Sequence, residues 1–320
     1  MGEMGRRGFL RGVAAGAALP VCGLLGATGP AGGAPKRKFA MNLNVGQVGV
    51  RATPREAIGL ARKYGYGFVS PMPWAMARMS KDEMAQLLAE MKAAKLAWGA
   101  AGIGPFFQAD DAKFKQRRAK IAETAAVLQR AGVTRSFTWV MPSSNARTYR
   151  QSFRLAARRT REVGKLLADR GVRIGLEYLG TKTLVLKGKF PFVQTLAEMR
   201  ELTGEVALDN VGLALDAWHW FQAGDTEDDI AKLTNREVVC ADICDAPAGV
   251  PRHQMPDSPR RLPCTTGVID VKGFLRGLLR IGYDGPVGTE PFDRSLKKLS
   301  TEKAMATATG AMKKAFALIE

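Results

Sequence analysis

The chain is poor in cysteine and histidine, the side chains that most often form cross-links or histidine-rich metal clusters. Its 320 residues include four cysteines and two histidines. Cys22 lies in the N-terminal segment, and the other three cysteines, Cys240, Cys244 and Cys264, are an odd number. A fold held together by disulfides is therefore excluded. Two histidines cannot supply a metal cluster built mainly from histidine.

Two further signals are missing. No stretch after the N-terminal segment is long and apolar enough to span a bilayer. The first predicted strand runs into Asn42-Leu43-Asn44-Val45-Gly46-Gln47, which lacks the glycine-rich phosphate-binding turn usual after the first strand of an open doubly wound sheet. We therefore expect no membrane-spanning part in the mature chain, and the sequence does not favour an open nucleotide-binding sheet.

Acidic residues are outnumbered by basic ones, and the formal net charge is +18. The lysines and arginines are scattered along predicted helices, as in Arg117-Arg118 and Arg158-Arg159, and no basic arm is interleaved with aromatic residues. This distribution favours a solvated basic surface over a nucleic-acid interface. We predict no nucleic-acid partner. A homo-oligomer is left open.

The N-terminal segment differs from the rest of the chain. Arg6-Arg7-Gly8-Phe9-Leu10-Arg11 precedes an Ala/Gly-rich apolar stretch from Val13 to Ala27. The pattern resembles a twin-arginine export signal, with cleavage between Ala27 and Ala34. We therefore predict a signal and linker over residues 1–34, an export route through the twin-arginine system and a periplasmic or otherwise extracytoplasmic mature protein.

Apolar runs and amphipathic stretches alternate eight times after residue 38, which predicts a parallel sheet with helices between its strands. Eight such units favour closure into a single-domain α/β (β/α)8 TIM barrel over residues 35–320. The predicted strands are Phe39–Asn44, Gly67–Pro71, Ala97–Gly102, Ser136–Met141, Arg173–Tyr178, Gly212–Leu215, Val238–Ile243 and Val287–Glu290. The predicted helices are Pro54–Tyr64, Lys81–Ala94, Asp110–Ala131, Ala146–Arg170, Phe192–Leu202, Glu227–Leu233, Val271–Ile281 and Glu302–Leu318. The segment from Ala246 to Thr266 carries five prolines and is predicted to be an ordered lid.

Four acids stand at the ends of four of these apolar runs: Glu177, Asp216, Asp242 and Glu290. A carboxylate at the end of a buried strand is costly unless it is paired or bound to metal. The carboxyl ends of barrel strands meet at one mouth, where barrel enzymes carry out their chemistry. The pattern therefore predicts one divalent metal ion at that mouth. Asp245, before a proline, is instead interpreted as a turn residue or a supporting partner.

Small residues precede each acid by two positions: Gly175, Ala214, Cys240 and Gly288. Because strand side chains alternate, these residues should point into the barrel beneath the acids and leave room above for an ion and a ligand. His219 follows Asp216 by three residues and should reach the same mouth, which predicts a functional histidine.

Five segments resemble the xylose-isomerase-like barrels, which include sugar isomerases, ketose 3-epimerases and inosose isomerases. The segments are IGLEYLG, NVGLALDAWHW, VVCADICDAP, LPCTTGVIDVKGF and IGYDGPVGTEPF. The resemblance implies one metal ion held by Glu177, Asp216, Asp242 and Glu290. The usual third ligand is histidine, and Asp242 stands in its place. The resulting set of carboxylates favours Mn or Mg over Zn.

The resemblance also implies chemistry at the carbon next to a carbonyl. Glu177 and Glu290 would move the proton, with His219, Arg261, Trp218 and Tyr178 around the substrate. Export suggests an unphosphorylated sugar, keto-sugar or cyclitol. A 3-keto-glycoside lyase or hydratase using the same site and a non-catalytic periplasmic sugar-binding barrel are the alternatives. The related abasic-site endonucleases use a histidine-rich three-zinc site, which two histidines cannot build.

Overall fold

The described structure is a closed parallel β-barrel surrounded by helices, with one separate two-stranded antiparallel sheet. The computed structural model describes residues 36–320, so the predicted export signal lies outside the described residues. The strands are β1 Ala40–Leu43, β2 Phe68–Val69, β3 Ala97–Trp98, β4 Ala101–Gly102, β5 Arg135–Val140, β6 Ser143–Ser144, β7 Arg173–Tyr178, β8 Phe190–Pro191, β9 Val211–Asp216, β10 Val238–Ile243 and β11 Pro286–Thr289. The helices are α1 Pro54–Tyr64, α2 Pro73–Met76, α3 Lys81–Ala93, α4 Asp111–Arg130, α5 Tyr149–Ala168, α6 Lys182–Val185, α7 Leu196–Val206, α8 Ala217–Ala223, α9 Glu227–Ala231, α10 Val271–Arg280 and α11 Thr301–Ala317.

The strand order β3-β2-β1-β11-β10-β9-β7-β5-β4 describes a sheet that closes on itself. Strands β3 and β4 are separated by only two residues and form the two halves of one barrel strand. β3 pairs with β2, and β4 pairs with β5. The predicted strand Ala97–Gly102 is therefore one barrel strand that is interrupted at its middle. The barrel has eight strands, and the predicted TIM barrel is confirmed.

Helix starts follow the capping signals in the sequence. Thr53 and Ser80 form capping boxes with Glu56 and Glu83 at the starts of α1 and α3. The prediction placed the start of α7 at Phe192, four residues too early. Thr195 caps this helix through Glu198, so the helix begins at Leu196. None of the helices in the described range 36–320 is both long and apolar enough to cross a membrane.

The barrel interior beneath the mouth is lined by small side chains, as predicted. Ala100, Ala214 and Cys240 form a small buried cluster with Phe137 packed against it. A Cβ at position 288 would overlap Asp242 Oδ1, so Gly288 makes room for that carboxylate. The larger apolar core lies between the barrel and the helices.

Asp245, which directly precedes the lid between Ala246 and Thr266, holds the C-terminal end of the lid by hydrogen bonds. This fully buried carboxylate accepts hydrogen bonds from the backbone N–H groups of Ala246, Thr266, Gly267, Val268 and Ile269, at 2.7–3.1 Å. Burial alone would raise the pKa of Asp245, but these backbone donors outweigh it and lower the pKa.

The backbone of Asp245 also pairs with that of Arg261, with two N–H···O bonds of 2.8 Å. Asp245 thus closes the lid and fixes the direction of the chain at residues 260–261. It is a supporting residue, in agreement with the prediction.

Replacing Asp245 with alanine should destabilise the protein strongly, because buried backbone donors would lose their acceptor. We expect the free energy of unfolding to fall by about 3 kcal/mol or more for D245A. The matched control is D110A, which removes an exposed helix N-cap and should cost about 1 kcal/mol. Chemical denaturation measures both. Equal losses for the two variants would contradict the role of Asp245.

Candidate active site

Four acids from four neighbouring barrel strands meet at the C-terminal mouth of the barrel. Glu177 lies near the end of β7, Asp216 ends β9, Asp242 lies near the end of β10, and Glu290 follows β11. Asp242 and Asp216 are direct partners in the register of β10 and β9. Parallel strand ends place these side chains together although up to 113 residues separate them in sequence.

The tightest group in the mouth consists of Glu177, Asp216 and His219. One ligand atom from each residue lies within 4.8 Å of the others. His219 lies in α8, which starts directly after β9, and Asp216 begins that helix by accepting a 2.7 Å bond from the Trp218 backbone N–H at its Oδ1. The Asp-x-x-His spacing therefore returns the histidine to the same mouth.

A buried arginine, Arg260, joins this group to Glu290. Its Nη1 donates to Asp216 Oδ2 at 2.7 Å and to Glu290 Oε2 at 3.1 Å. Its Nη2 donates to His219 Nε2 at 3.2 Å. The side chain of Arg260 is 1% exposed, which makes it the cation at the centre of the acids.

The hydrogen bonds around His219 fix the tautomer of its ring. A guanidinium group only donates, so His219 Nε2 must accept from Arg260, and Nδ1 therefore carries the proton. Nδ1 then donates to Thr181 Oγ1 at 3.4 Å. That hydroxyl also accepts from Trp218 Nε1 at 2.9 Å and donates to Asp257 Oδ1 at 3.0 Å. Burial and the Arg260 charge lower the pKa of His219, which keeps the ring neutral.

Burial and mutual repulsion raise the pKa of several acids in the mouth. The pKa of Glu177 is raised well above its usual value by burial and by the charges of Glu290 and Asp216. The pKa of Asp242 is raised by burial and by the same two neighbours. Burial raises the pKa of Glu290 to about 8, although Arg260 opposes the shift. A carboxylate with a raised pKa can exchange a proton near neutral pH.

The three residues predicted to bind substrate occupy different positions. Trp218 is buried beside Arg260, whose guanidinium carbon lies 5.2 Å from the indole centroid. Tyr178 is buried, and its hydroxyl donates to Asp225 Oδ2 at 2.7 Å. Arg261 Nη1 donates to the Arg260 backbone oxygen at 3.1 Å. The arginine contacts with the acids are made by Arg260.

Two residues that bond the acids of the mouth, Arg260 and Gln47, were not predicted from the sequence. Arg260 is adjacent to the predicted Arg261, and the Arg-Arg pair itself was the available signal. The backbone pairing of Arg261 with Asp245 decides which of the two side chains faces the acids. Gln47, in the loop after β1, donates to Glu290 Oε1 at 2.6 Å. The only sequence signal for a role of Gln47 in the mouth was its position just after the end of the first strand.

The donor set fits a divalent cation. The acids Glu177, Asp216, Asp242 and Glu290 outnumber the single guanidinium among them, which leaves negative charge uncompensated in a buried space. Carboxylate oxygens are the preferred ligands of hard divalent ions. Glu177 and Asp216 would hold such an ion. Asp242, in β10, and Glu290, after β11, lie on the next two barrel strands.

Comparison with known proteins places these features in a family context. The family model described as xylose isomerase-like TIM barrel matches residues 58–315. An inosose isomerase from Bacillus subtilis (strain 168) is 29% identical over 147 residues, which are 46% of this chain and 50% of that protein. The chain spans about half the length of the curated relatives it matches.

Two solved structures share the barrel fold. A xylose isomerase domain protein from Alicyclobacillus acidocaldarius subsp. acidocaldarius has 27% identity and a TM-score of 0.75, covering 89% of this chain and 99% of that one. The IolI protein with a bound zinc atom has 20% identity and a TM-score of 0.73, covering 87% of this chain and 98% of that one.

The metal-free protein should lose stability as the pH rises. The folded protein holds the Glu290 proton more tightly than the unfolded chain, so the stabilisation from protonated Glu290 is complete below pH 4.5 and is lost as the pH rises to about 8. Thermal melting between pH 4.5 and 9 in the presence of a chelator measures this loss. E290Q should flatten that part of the profile, whereas E302Q, at an exposed helix start, should not. A wild-type profile that rises with pH would disprove the assignment.

Proposed function

Because the chain belongs to the xylose isomerase-like TIM barrel family, we propose that it is a divalent-metal-dependent isomerase or epimerase of a sugar derivative. The proposed substrate is an unphosphorylated sugar, keto-sugar or cyclitol, and the proposed ion is Mn or Mg. The observation that carries this proposal is the convergence of Glu177, Asp216 and His219 within 4.8 Å at the barrel mouth. The likeness to an inosose isomerase supports the reaction class.

The ion bound by these acids would supply electrostatic stabilisation for negative charge that develops on a substrate carbonyl oxygen. The residues of the chain would provide the proton transfer. Glu177 and Glu290 come from different barrel strands, β7 and the residue after β11, and burial raises the pKa of each. A substrate between them would present its carbon-bound proton to one carboxylate and its opposite face or adjacent carbon to the other.

The other residues of the mouth would orient the substrate and exclude water. Neutral His219, with its proton held on Nδ1, accepts from Arg260 at Nε2 and would help to hold that guanidinium in the mouth. Arg260, bonded to Asp216 and Glu290, would hold these two carboxylates in place, and the buried Trp218 forms a wall beside it. Gln47 holds Glu290 Oε1, which leaves the orientation of that carboxylate fixed.

Removal of either proposed base should slow proton transfer strongly while the fold remains. We expect E177Q and E290Q to slow solvent-deuterium incorporation at the carbon next to the carbonyl by about 100-fold or more. The assay uses metal-loaded protein and a panel of free sugars, inososes and 3-keto-glycosides, with metal content measured for every variant. E302Q, which changes an exposed glutamate, is the control and should exchange like wild type.

The outcomes of this assay separate the alternatives. Exchange without loss of an aglycone supports the isomerase or epimerase, whereas exchange with release of an aglycone indicates a lyase. Exchange by metal-loaded E177Q and E290Q at the wild-type rate would overturn the roles of the two glutamates. No exchange on any substrate by the wild type would favour a non-catalytic sugar-binding barrel.

We also propose that the segment from Arg6 to Ala27 directs export through the twin-arginine route, in line with an unphosphorylated substrate. Replacing Arg6 and Arg7 with lysine should leave the full-length chain inside the producing cell. Fractionation of cells that express the wild type and the double variant measures the effect. Equal secretion of both would contradict the proposal.

A further inference from the structure

Arg260 has a complete set of partners within the described residues, which is unusual for a side chain expected only to meet a substrate. Besides Asp216, Glu290 and His219, its Nη2 donates to Asp257 Oδ1 at 3.1 Å and its Nε donates to the Asp257 backbone oxygen at 3.0 Å. All three guanidinium nitrogens are therefore engaged. In the absence of metal, these bonds hold the group at one position in the mouth.

Two aromatic rings further define the position of this guanidinium. Its central carbon lies 5.2 Å from the centroid of Trp218 and 4.6 Å from the centroid of Phe292. Phe292 adopts a φ of +44°, a left-handed backbone conformation that a phenylalanine rarely takes. The chain tolerates this local strain where it brings an aromatic ring against Arg260.

The contacts of Arg260 use the carboxylates that an ion would need. Asp216 Oδ1 accepts the Trp218 backbone N–H, and Asp216 Oδ2 accepts from Arg260. Glu290 Oε1 accepts from Gln47, and Glu290 Oε2 accepts from Arg260. Both oxygens of each carboxylate are therefore engaged, and in each case Arg260 has one of them. The positive charge of Arg260, at 2.7 and 3.1 Å from these two carboxylates, also repels a second cation that binds to them.

We propose that Arg260 is an internal cation that competes with the divalent ion for Asp216 and Glu290, and thereby sets the affinity of the site for metal. This inference rests on the proposed function. In this proposal, an ion bound at the two carboxylates would displace the Nη1 end of Arg260 from them, because the two positive charges repel each other. The bonds to Asp257, whose side chain is 27% exposed at the outer side of the site, can hold Arg260 in that second position.

Displacement of Arg260 by the ion would also affect substrate binding. Guanidinium N–H groups released from Asp216 and Glu290 become available in the mouth only in the metal-bound protein. A sugar oxygen would then find its donor only after the ion is in place. Metal binding and substrate binding would therefore be positively coupled through Arg260.

Calorimetric titration of Mn²⁺ into the chelator-treated full chain tests the competition directly. We expect R260Q to bind one ion about tenfold or more tightly than wild type, because the ion no longer displaces a charged hydrogen-bond donor. R118Q removes the same charge from the exposed surface of α4 and should bind within about twofold of wild type. R260K keeps the charge but loses the fork that bridges two carboxylates, and should lie between wild type and R260Q.

Circular dichroism must first show that each variant is folded. A second measurement needs only the wild type. In NMR spectra, the Arg260 Nε–H signal, identified by its loss in R260K, should shift when Mg²⁺ is added. If the signal does not shift although calorimetry shows that the ion binds, Arg260 stays in place and the competition is overturned.

The results also separate this inference from the proposed function. If wild type binds Mn²⁺ and folded R260Q binds no more tightly, the competition is wrong while the metal-dependent function stands. If R260Q binds the ion and wild type does not, the competition is supported and metal dependence of the natural protein is contradicted. If neither binds, both proposals fail.

Discussion

Charge compensation among buried carboxylates is the constraint on which the mouth of this barrel depends. Four acids at the ends of parallel barrel strands would repel one another strongly in the buried mouth of the barrel. One guanidinium, that of Arg260, partly neutralises them by bonding Asp216 and Glu290. Burial, together with the remaining negative charge, raises the pKa values of Glu177, Asp242 and Glu290. The uncompensated charge produces the demand for a second cation.

The scaffold around the acids can be explained by the same constraint. Small residues beneath the mouth, such as Ala214 and Gly288, keep the interior open where the carboxylates need space. Asp245 fastens the lid through backbone donors and so determines that Arg260 rather than Arg261 reaches the acids. Stability at Asp245 and chemistry at Arg260 are therefore linked through one short stretch of chain.

The barrel could be predicted from the sequence because its signals are local and periodic. Alternating apolar runs and helices, capping boxes at Thr53 and Ser80, and acids at the ends of runs all describe short segments. Contacts made by the lid could not be predicted in the same way. The choice between Arg260 and Arg261 depends on a backbone pairing with a residue sixteen positions away, to which no periodicity applies. The contact of Gln47 with Glu290 joins the loop after the first barrel strand to the end of the last one, 243 residues apart in sequence.

The most direct test of the central claim is anomalous diffraction from crystals of the Mn²⁺-loaded protein. The account predicts one manganese peak at the mouth, with carboxylate oxygens of Glu177 and Asp216 at about 2.2 Å and with Arg260 no longer bonded to Asp216 Oδ2. Absence of a peak, or a peak elsewhere with Arg260 still on Asp216 and Glu290, would contradict it.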